Sequence, residues 1–267
     1  MPLAIITGAS SGIGREFARQ LRRRGVDRFW LIARRRERLE ELSRELKCEC
    51  EIISADLSDT AGIASVKEML GEKTPSVDYL IMAAGFGDFG AQDELTPDES
   101  ARVIEVNVRA LVEITNAAIP YMARGGRIIE LGSASAFTPL PYFATYAASK
   151  SFVLHYSKAL YYELRPKGIH VSCVCPGWVH TEFIDKATDT EGLTRPRRDR
   201  LKPLLRCEKT VRLALRASDR RKKIYVVGAF YKMQHILFKI LPDGLLSRAW
   251  LFMIDKKTLK RRLEKYE

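Results

Sequence analysis

A chain of 267 residues, 46% hydrophobic and 29% charged, has the length for one sizeable core and the composition of an ordinary soluble globular domain. Its five cysteines are odd in number and form no C-x-x-C, which excludes a disulfide framework; Cys48/Cys50 and Cys173/Cys175 are read as facing opposite sides of their strands, so neither pair suggests a metal clamp. The net charge of +12 raises nucleic-acid binding, but the arginines gather at helix starts and on exposed helical faces, without a nucleic-acid module or interleaved aromatics, and no nucleic-acid partner is expected.

In chain order, residues 3–7 read as a short buried strand. The turn Thr7-Gly8-Ala9-Ser10-Ser11-Gly12-Ile13-Gly14 leads from it into an amphipathic helix over 14–24. Glycine permits positive φ and close backbone approach, and the free N–H groups of a helix start suit a pyrophosphate. Gly8, Ser10, Ser11, Gly12, Ile13 and Gly14 are therefore assigned to a dinucleotide.

The second strand, 29–33, runs into Arg34 and Arg35, with a helix over 36–46 behind them. A dinucleotide fold that takes NAD places a carboxylate here for the ribose 2′-hydroxyl, whereas arginine accommodates the 2′-phosphate of NADP. Arginine at a helix N-terminus opposes the dipole, so an anionic partner there has a physical motive. The expected cofactor is NADP(H). A third strand at 51–54 precedes Asp56-Leu57 and a helix over 61–70. Asp56 serves equally as an N-cap for that helix.

The fourth strand, 79–83, is followed by the small residues Ala83, Ala84 and Gly85, which leave room for a ligand against the backbone. A long helix over 97–123 carries Asn107, and a strand at 127–131 precedes Ser133. The helix over 143–165 sets Tyr146 and Lys150 four apart, on one face. A strand at 170–174, the segment Pro176-Gly177-Trp178-Val179-His180-Thr181, a helix over 208–217 and a last strand at 223–227 complete the alternation. Near-continuous apolar strands between helices make this an α/β chain with a doubly wound parallel sheet.

The glycine turn, Asn107, Ser133, the Tyr146/Lys150 pair and the Pro176 to Thr181 segment, in this order, resemble the short-chain dehydrogenase/reductase family over roughly residues 3–228. The resemblance implies a single-domain Rossmann fold over 1–228, with a seven-stranded parallel sheet in the order 3-2-1-4-5-6-7, and leaves 229–267 as a C-terminal helical extension. It implies catalytic roles for Asn107, Ser133, Tyr146 and Lys150: Tyr146 gives or takes the proton, Lys150 lowers its pKa and holds the nicotinamide ribose, Ser133 polarises the substrate oxygen, and Asn107 anchors a relay water. Asp56 and Leu57 then meet the adenine, while Ala83, Ala84, Gly85, Pro176, Gly177, Val179 and Thr181 border the cofactor. The chain departs from the family's N-N-A-G, with Met82 and Ala83 in place of the asparagines, which removes a side chain that ties this strand to its neighbours. Ser135, eleven residues before Tyr146 where Ser133 is thirteen, is the rival serine.

The expected activity is NADP(H)-dependent interconversion of a ketone and a secondary alcohol. The alternative is a non-catalytic dinucleotide sensor, against which the intact serine, tyrosine and lysine stand. Phe89, Phe137, Pro139, Leu140, Tyr142, Phe143, Trp178 and Phe183 suggest an apolar pocket for a lipid-, steroid- or aromatic-type substrate. The lid, about 182–206, carries Arg195, Arg197, Arg198, Arg200, Lys202 and Arg206, which either greet an acidic group or lie solvated. No histidine has metal-ligand spacing, and no metal is expected.

In the extension, Phe230, Met233, Leu237, Ile240 and Leu241 form an apolar stripe, Pro242-Asp243-Gly244 breaks the helix, and residues 245–254 are again apolar before the basic tail Lys256, Lys257, Lys260, Arg261, Arg262 and Lys265. Both segments fall short of the ~20 apolar residues that span a bilayer. A hairpin capping the pocket or the sheet edge is preferred to a membrane-surface contact. The helices over 97–123 and 143–165 are the expected homodimer faces, and the extension is expected to block a second two-fold contact near the last strand. The chain starts directly on its first strand, which sets an expectation of a cytoplasmic protein.

Overall fold

The computed structural model of the protein describes residues 1–188 and 193–264. Its strands are β1 (Leu3–Thr7), β2 (Arg28–Ala33), β3 (Glu49–Ser54), β4 (Val77–Met82), β5 (Met122–Leu131), β6 (His170–Pro176) and β7 (Ile224–Val227). They pair in parallel in the order β3-β2-β1-β4-β5-β6-β7, as the family resemblance implies.

Side chains alternate across each strand, and the two faces of the sheet are filled by two separate cores. Leu3 and Ile5 of β1 pack with α3 (Thr60–Lys73), α5 (Leu111–Ala118) and α6 (Ala144–Leu164). Ala4 and Ile6 point the other way, into α1 (Gly12–Arg22), α2 (Arg36–Leu46) and α8 (Cys207–Asp219). All five residues of β1 are buried, so an alternating polar pattern would have failed here. Each fully buried leucine, isoleucine or phenylalanine in these layers contributes about 1.5–3 kcal/mol.

The helix expected over 97–123 is interrupted. α4 (Pro97–Ile104) starts at a Thr96/Glu99 capping box and gives way to one π-helical turn, Glu105–Ala110, before α5. Pro120 closes that run in a short 3-10 turn, and the chain re-enters the sheet at Met122. Ala123 is thus in β5. The first half of β5 escapes sequence reading because Gly125, at φ +89°, and the register shift against β4 break its apolar pattern.

The cysteine pairs also need correction. Residues two apart on a strand share a face, and the sulfurs of Cys173 and Cys175 lie 3.6 Å apart behind Gly132. Among the described residues, no group of three or more histidine, cysteine or acidic side chains is placed to hold a metal.

Beyond β6 come α7 (Glu182–Thr188) and, after β7, α9 (Ala229–Ile240), α10 (Asp243–Leu251) and α11 (Lys256–Leu263). Residues 189–192 of the expected lid and Lys265 of the basic tail lie outside the described residues. The remaining lid pairs with the extension: Pro196 bridges Ile254, and the Arg197 N–H donates to the Met253 carbonyl. Arg197 pairs with Asp199, and Arg200 donates to the Phe252 carbonyl, so both guanidiniums serve the lid.

The stripe on α9 does not pack inward. Tyr231 is the buried residue of this helix, whereas Phe230, Met233, Ile236, Leu237 and Ile240 stand exposed. The Tyr231 ring lies flat over Gly177, where a Cβ would come within 2.0 Å of it. Its hydroxyl accepts from the Trp178 N–H at 3.2 Å and donates to the Pro203 carbonyl at 2.7 Å. An aromatic with a polar tip anchors the helix, leaving the aliphatic side outward. Among the described residues, no helix is long and apolar enough to cross a membrane.

Candidate active site

A cleft of about 440 Å³ opens at the carboxyl ends of β1, β2, β4, β5 and β6, the crevice where open α/β sheets take ligands. Gly8, Ser10, Ser11, Gly12, Ile13 and Gly14 line one wall. Gly8 sits at φ +67° and Gly12 at φ +52°, conformations that favour glycine. A Cβ on Gly14 would stand 2.4 Å from the Gly8 carbonyl oxygen, so the helix start packs directly on the turn. The Thr7 hydroxyl accepts from the N–H groups of both Ala83 and Ala84 at 3.1 Å, tying β1 to β4 without the missing asparagines.

Arg34, Arg35, Asp56 and Leu57 form the far end of the cleft. Arg34 is exposed and stands 3.5 Å from Asp56. The Asp56 carboxylate accepts from the N–H and hydroxyl of Ser58, at 2.9 and 2.7 Å. Burial pushes its pKa up, but those bonds and Arg34 outweigh it and hold the group below the ordinary aspartate value. Asp56 is not the cap of α3; Asp59 takes that place and accepts from the Gly62 N–H at 2.6 Å.

Arg35 donates to Glu182 at 2.8 Å and to the Ser10 hydroxyl at 3.3 Å, while Arg38 also pairs with Glu182. Hydrogen bonds from Arg38 and Arg35 bring the Glu182 carboxyl down to about 2. Sequence reading passed over this carboxylate, whose one signal was its place directly after Thr181 at the head of the lid.

At the opposite end, Ser133, Tyr146 and Lys150 line the cleft together with Ala83, Ala84, Gly85, Pro176, Gly177, Val179 and Thr181. Ser133 follows β5, its hydroxyl accepting from the Ser135 N–H at 3.1 Å, and it lines the same end of the cleft as Tyr146. Ser135 lies off the cleft, with its own hydroxyl buried and without a partner among the described residues. The Lys150 ammonium donates to the Leu131 carbonyl at 2.8 Å and stands 5.7 Å from the centre of the Tyr146 ring. Gly87 lies flat against that ring, where a Cβ would come within 2.4 Å; only its lack of a side chain admits the tyrosine.

Asn107 lies behind the cleft wall. The π turn buries it, and its side chain closes a two-way bond with Phe86, accepting from the N–H at 3.1 Å and donating to the carbonyl at 2.9 Å. It also donates to the Ser149 hydroxyl at 3.0 Å. A Cβ on Gly85 would sit 3.0 Å from the Asn107 Oδ1 and 3.1 Å from the Lys150 Nζ, so one backbone glycine separates the two side chains.

Burial governs the electrostatics of Tyr146 and Lys150. Burial pushes Tyr146 up to about 12, against the pull of the Ser133 hydroxyl. Burial likewise brings Lys150 down to about 8. Removal from water disfavours the charged form of each group.

Of the residues expected in the substrate pocket, Trp178 and Phe183 line the cleft beside Tyr146, whereas Phe89, Leu140 and Phe143 are buried behind the tyrosine ring in a core cluster and Phe137, Pro139 and Tyr142 lie off the cleft. Tyr146 stacks on Phe143 at 4.4 Å, Phe143 on Phe89 at 3.9 Å, and Phe183 lies 5.4 Å from Tyr146. Trp178 continues the wall to Trp250 at 6.5 Å, and the Trp250 indole donates to the Pro141 carbonyl at 2.8 Å. The extension thus closes over the aromatic wall.

Residues 2–192 match the short chain dehydrogenase family. The bovine (Bos taurus) dehydrogenase/reductase SDR family member 7B is 34% identical over 202 residues, covering 71% of this chain and 62% of that protein, so the match stops short of two thirds of the relative's length. Among solved structures, a short-chain dehydrogenase from Sphingobium yanoikuyae in complex with NADPH is 30% identical, with a TM-score of 0.76 over 92% of this chain and 96% of that one. A bulky-bulky ketone specific alcohol dehydrogenase from Comamonas testosteroni is 29% identical, with a TM-score of 0.71 over 91% and 95%.

Proposed function

The chain belongs to the short-chain dehydrogenase/reductase family and is an oxidoreductase, and from that premise we propose that it uses NADP(H) to interconvert a bulky apolar ketone and its secondary alcohol. The observation that carries this reading is one continuous cleft with Ser133, Tyr146 and Lys150 at one end and Arg34 and Arg35 at the other. The glycine cradle fits a dinucleotide, since a Cβ at Gly14 would fill the turn and Gly8 and Gly12 hold positive φ. Ser10 to Gly14 would hold the pyrophosphate, Arg34 and Arg35 the 2′-phosphate, Asp56 and Leu57 the adenine, and Ala83 to Gly85 with Pro176 to Thr181 the nicotinamide end.

When bound, the nicotinamide supplies or accepts the hydride at the substrate carbon. Tyr146, kept neutral by burial, holds the phenolic proton that reduction delivers to the substrate oxygen. Ser133, beside Tyr146 in the cleft lining, would polarise that oxygen. Lys150, fixed by the Leu131 carbonyl, would favour the phenolate that the reverse reaction requires and would hold the nicotinamide ribose. Asn107 positions Gly85 and Phe86 against Lys150.

Phe86, Trp178 and Phe183 in the cleft lining support an apolar substrate, and the Comamonas testosteroni neighbour, specific by name for bulky-bulky ketones, points the same way. The NADPH held by the Sphingobium yanoikuyae neighbour supports the cofactor choice. Exposed Ile104 on α4 and Phe152 on α6 support a homodimer through these helices. A panel of aliphatic, aryl and steroid ketones, offered with NADPH and with NADH while nicotinamide absorbance is followed, tests the reading. Turnover of bulky ketones with NADPH is expected; tight cofactor binding without turnover of any carbonyl favours the sensor alternative.

A further inference from the structure

The extension has two faces of opposite character, and only the inner one is used by the fold. Tyr231 of α9 and Leu246 of α10 are buried, and Trp250 joins the aromatic wall. Outward, α9 presents Phe230, Met233, Ile236, Leu237 and Ile240, with Ile240 73% exposed and Met233 63%. At 3.6 residues per turn these side chains span roughly a third of the helix circumference, directly opposite Tyr231. α10 and the residue after it add exposed Leu245, Leu251 and Phe252. Among the described residues, eight of the thirteen exposed large apolar side chains lie in this one segment. Monomer surfaces scatter such residues singly; a cluster marks a place where something covers them.

Charge selects the occupant. Lys232 and Lys239 border one edge of the apolar stripe on α9, and α11 begins Lys256, Lys257. Residues 229–264 hold eight basic and three acidic side chains. A second copy of this chain on the same face would bring like charges together. A helix with an apolar face bordered by lysines suits the boundary of an anionic bilayer, where the aliphatic side chains enter the acyl region and the ammonium groups stay with the headgroups. We propose that the outward face of α9 and α10, with α11 beside it, seats this protein on the surface of an anionic lipid membrane. The inner face of the same helices rests on Gly177 and Trp178 of the cleft lining, so the membrane and the cleft lie on opposite sides of one helical layer.

The test is co-sedimentation of the full chain with vesicles of phosphatidylcholine alone and of an equal mixture with phosphatidylglycerol, beside light scattering without lipid. The intact protein should pellet with the mixed vesicles and be released by salt. Met233→Glu/Ile240→Glu should weaken partitioning by at least about tenfold while its melting temperature and NADPH affinity stay unchanged. Lys256→Glu/Lys257→Glu should weaken it only for the anionic vesicles. An intact chain left in the supernatant, or a double glutamate variant that pellets as well as the parent, overturns the proposal. So does an oligomer that this variant dissociates in the absence of vesicle binding, which would assign the face to a second copy.

Discussion

Glu182 reaches from the head of the lid to Arg35, carboxylate to guanidinium at 2.8 Å, and so occupies the arginine assigned to the cofactor's 2′-phosphate. Arg38 grips the same carboxylate from the next turn of α2. A carboxylate on this pair competes with a phosphate for the same donors. Glu182→Gln should therefore tighten NADPH binding by about tenfold or more, the worth of a charge-assisted bond, and leave NADH binding unchanged. Fluorescence titration of both cofactors reads this directly, and equal NADPH affinity in the two proteins rejects the competition. The pH signature is separate. A carboxyl lowered from 4.5 to about 2 stabilises the fold fully above its unfolded value and loses that stabilisation as pH falls towards 2. The stability gap between parent and variant should close over that acid range.

Arg34 is exposed and is paired with Asp56 only at 3.5 Å, which leaves its guanidinium available to a phosphate. Arg34→Asp places a like charge against the 2′-phosphate and should raise the Kd for NADPH by at least about tenfold, with NADH use retained or improved. Titration of parent and variant with both cofactors checks it, and an unchanged NADPH Kd shifts the assignment to Arg35 alone.

Tyr146→Phe keeps the ring that stacks on Phe143 and removes only the proton. Turnover should fall by about 10²–10⁴ with cofactor affinity almost unchanged. Steady-state kinetics beside a cofactor titration separates the two, and preserved turnover would falsify the role given to Tyr146.

Lys150 carries a stability cost with its function. Its pKa falls from 10.5 unfolded to about 8 folded, so the buried ammonium is disfavoured at neutral pH. That penalty is present in full below about 8 and fades as pH rises from there to 10.5, because the unfolded chain binds more protons in that window. Lys150→Met should abolish turnover yet stabilise the fold at pH 7 by a few kcal/mol of relieved desolvation, less about 1 kcal/mol for the lost bond to Leu131, which a higher melting temperature reads. A variant that melts lower at pH 7 and equally at pH 10 contradicts this account.

Phe152 stands 43% exposed on α6 and stacks with Tyr156, on the face proposed to meet a partner copy. Phe152→Asp should convert a dimer into monomers, since an interface centred on an aromatic tolerates no buried unpaired charge. Light scattering of both proteins decides; a monomeric parent removes the interface altogether.

Much of this architecture was legible because parallel strands are covered on both faces and their apolar runs stand out between charged helices. The assigned residues are gathered on one cleft, with Asn107 just behind it, because turn chemistry and helical spacing are local properties. What stayed hidden depends on tertiary context. A helix period does not announce a π turn, so the burial of Asn107 against Phe86 could not be read from 97–123. The period of α9 told which residues share a side but not which way that side turns, and Tyr231 over Gly177 decided it. Gly87 carries no motif of its own, and its place against the ring of Tyr146 exists only in the fold. Glu182 had no partner in sequence, since its arginines lie on α2, at the other end of the sheet.

The bond from the Trp250 indole to the Pro141 carbonyl has a consequence for how the enzyme matures. Phe89, Phe143 and Trp178 are all synthesised before Trp250, so the aromatic cluster behind Tyr146 stays open on one side until the extension joins it. Packing around Tyr146 is therefore finished only after every residue that lines the cleft has been made.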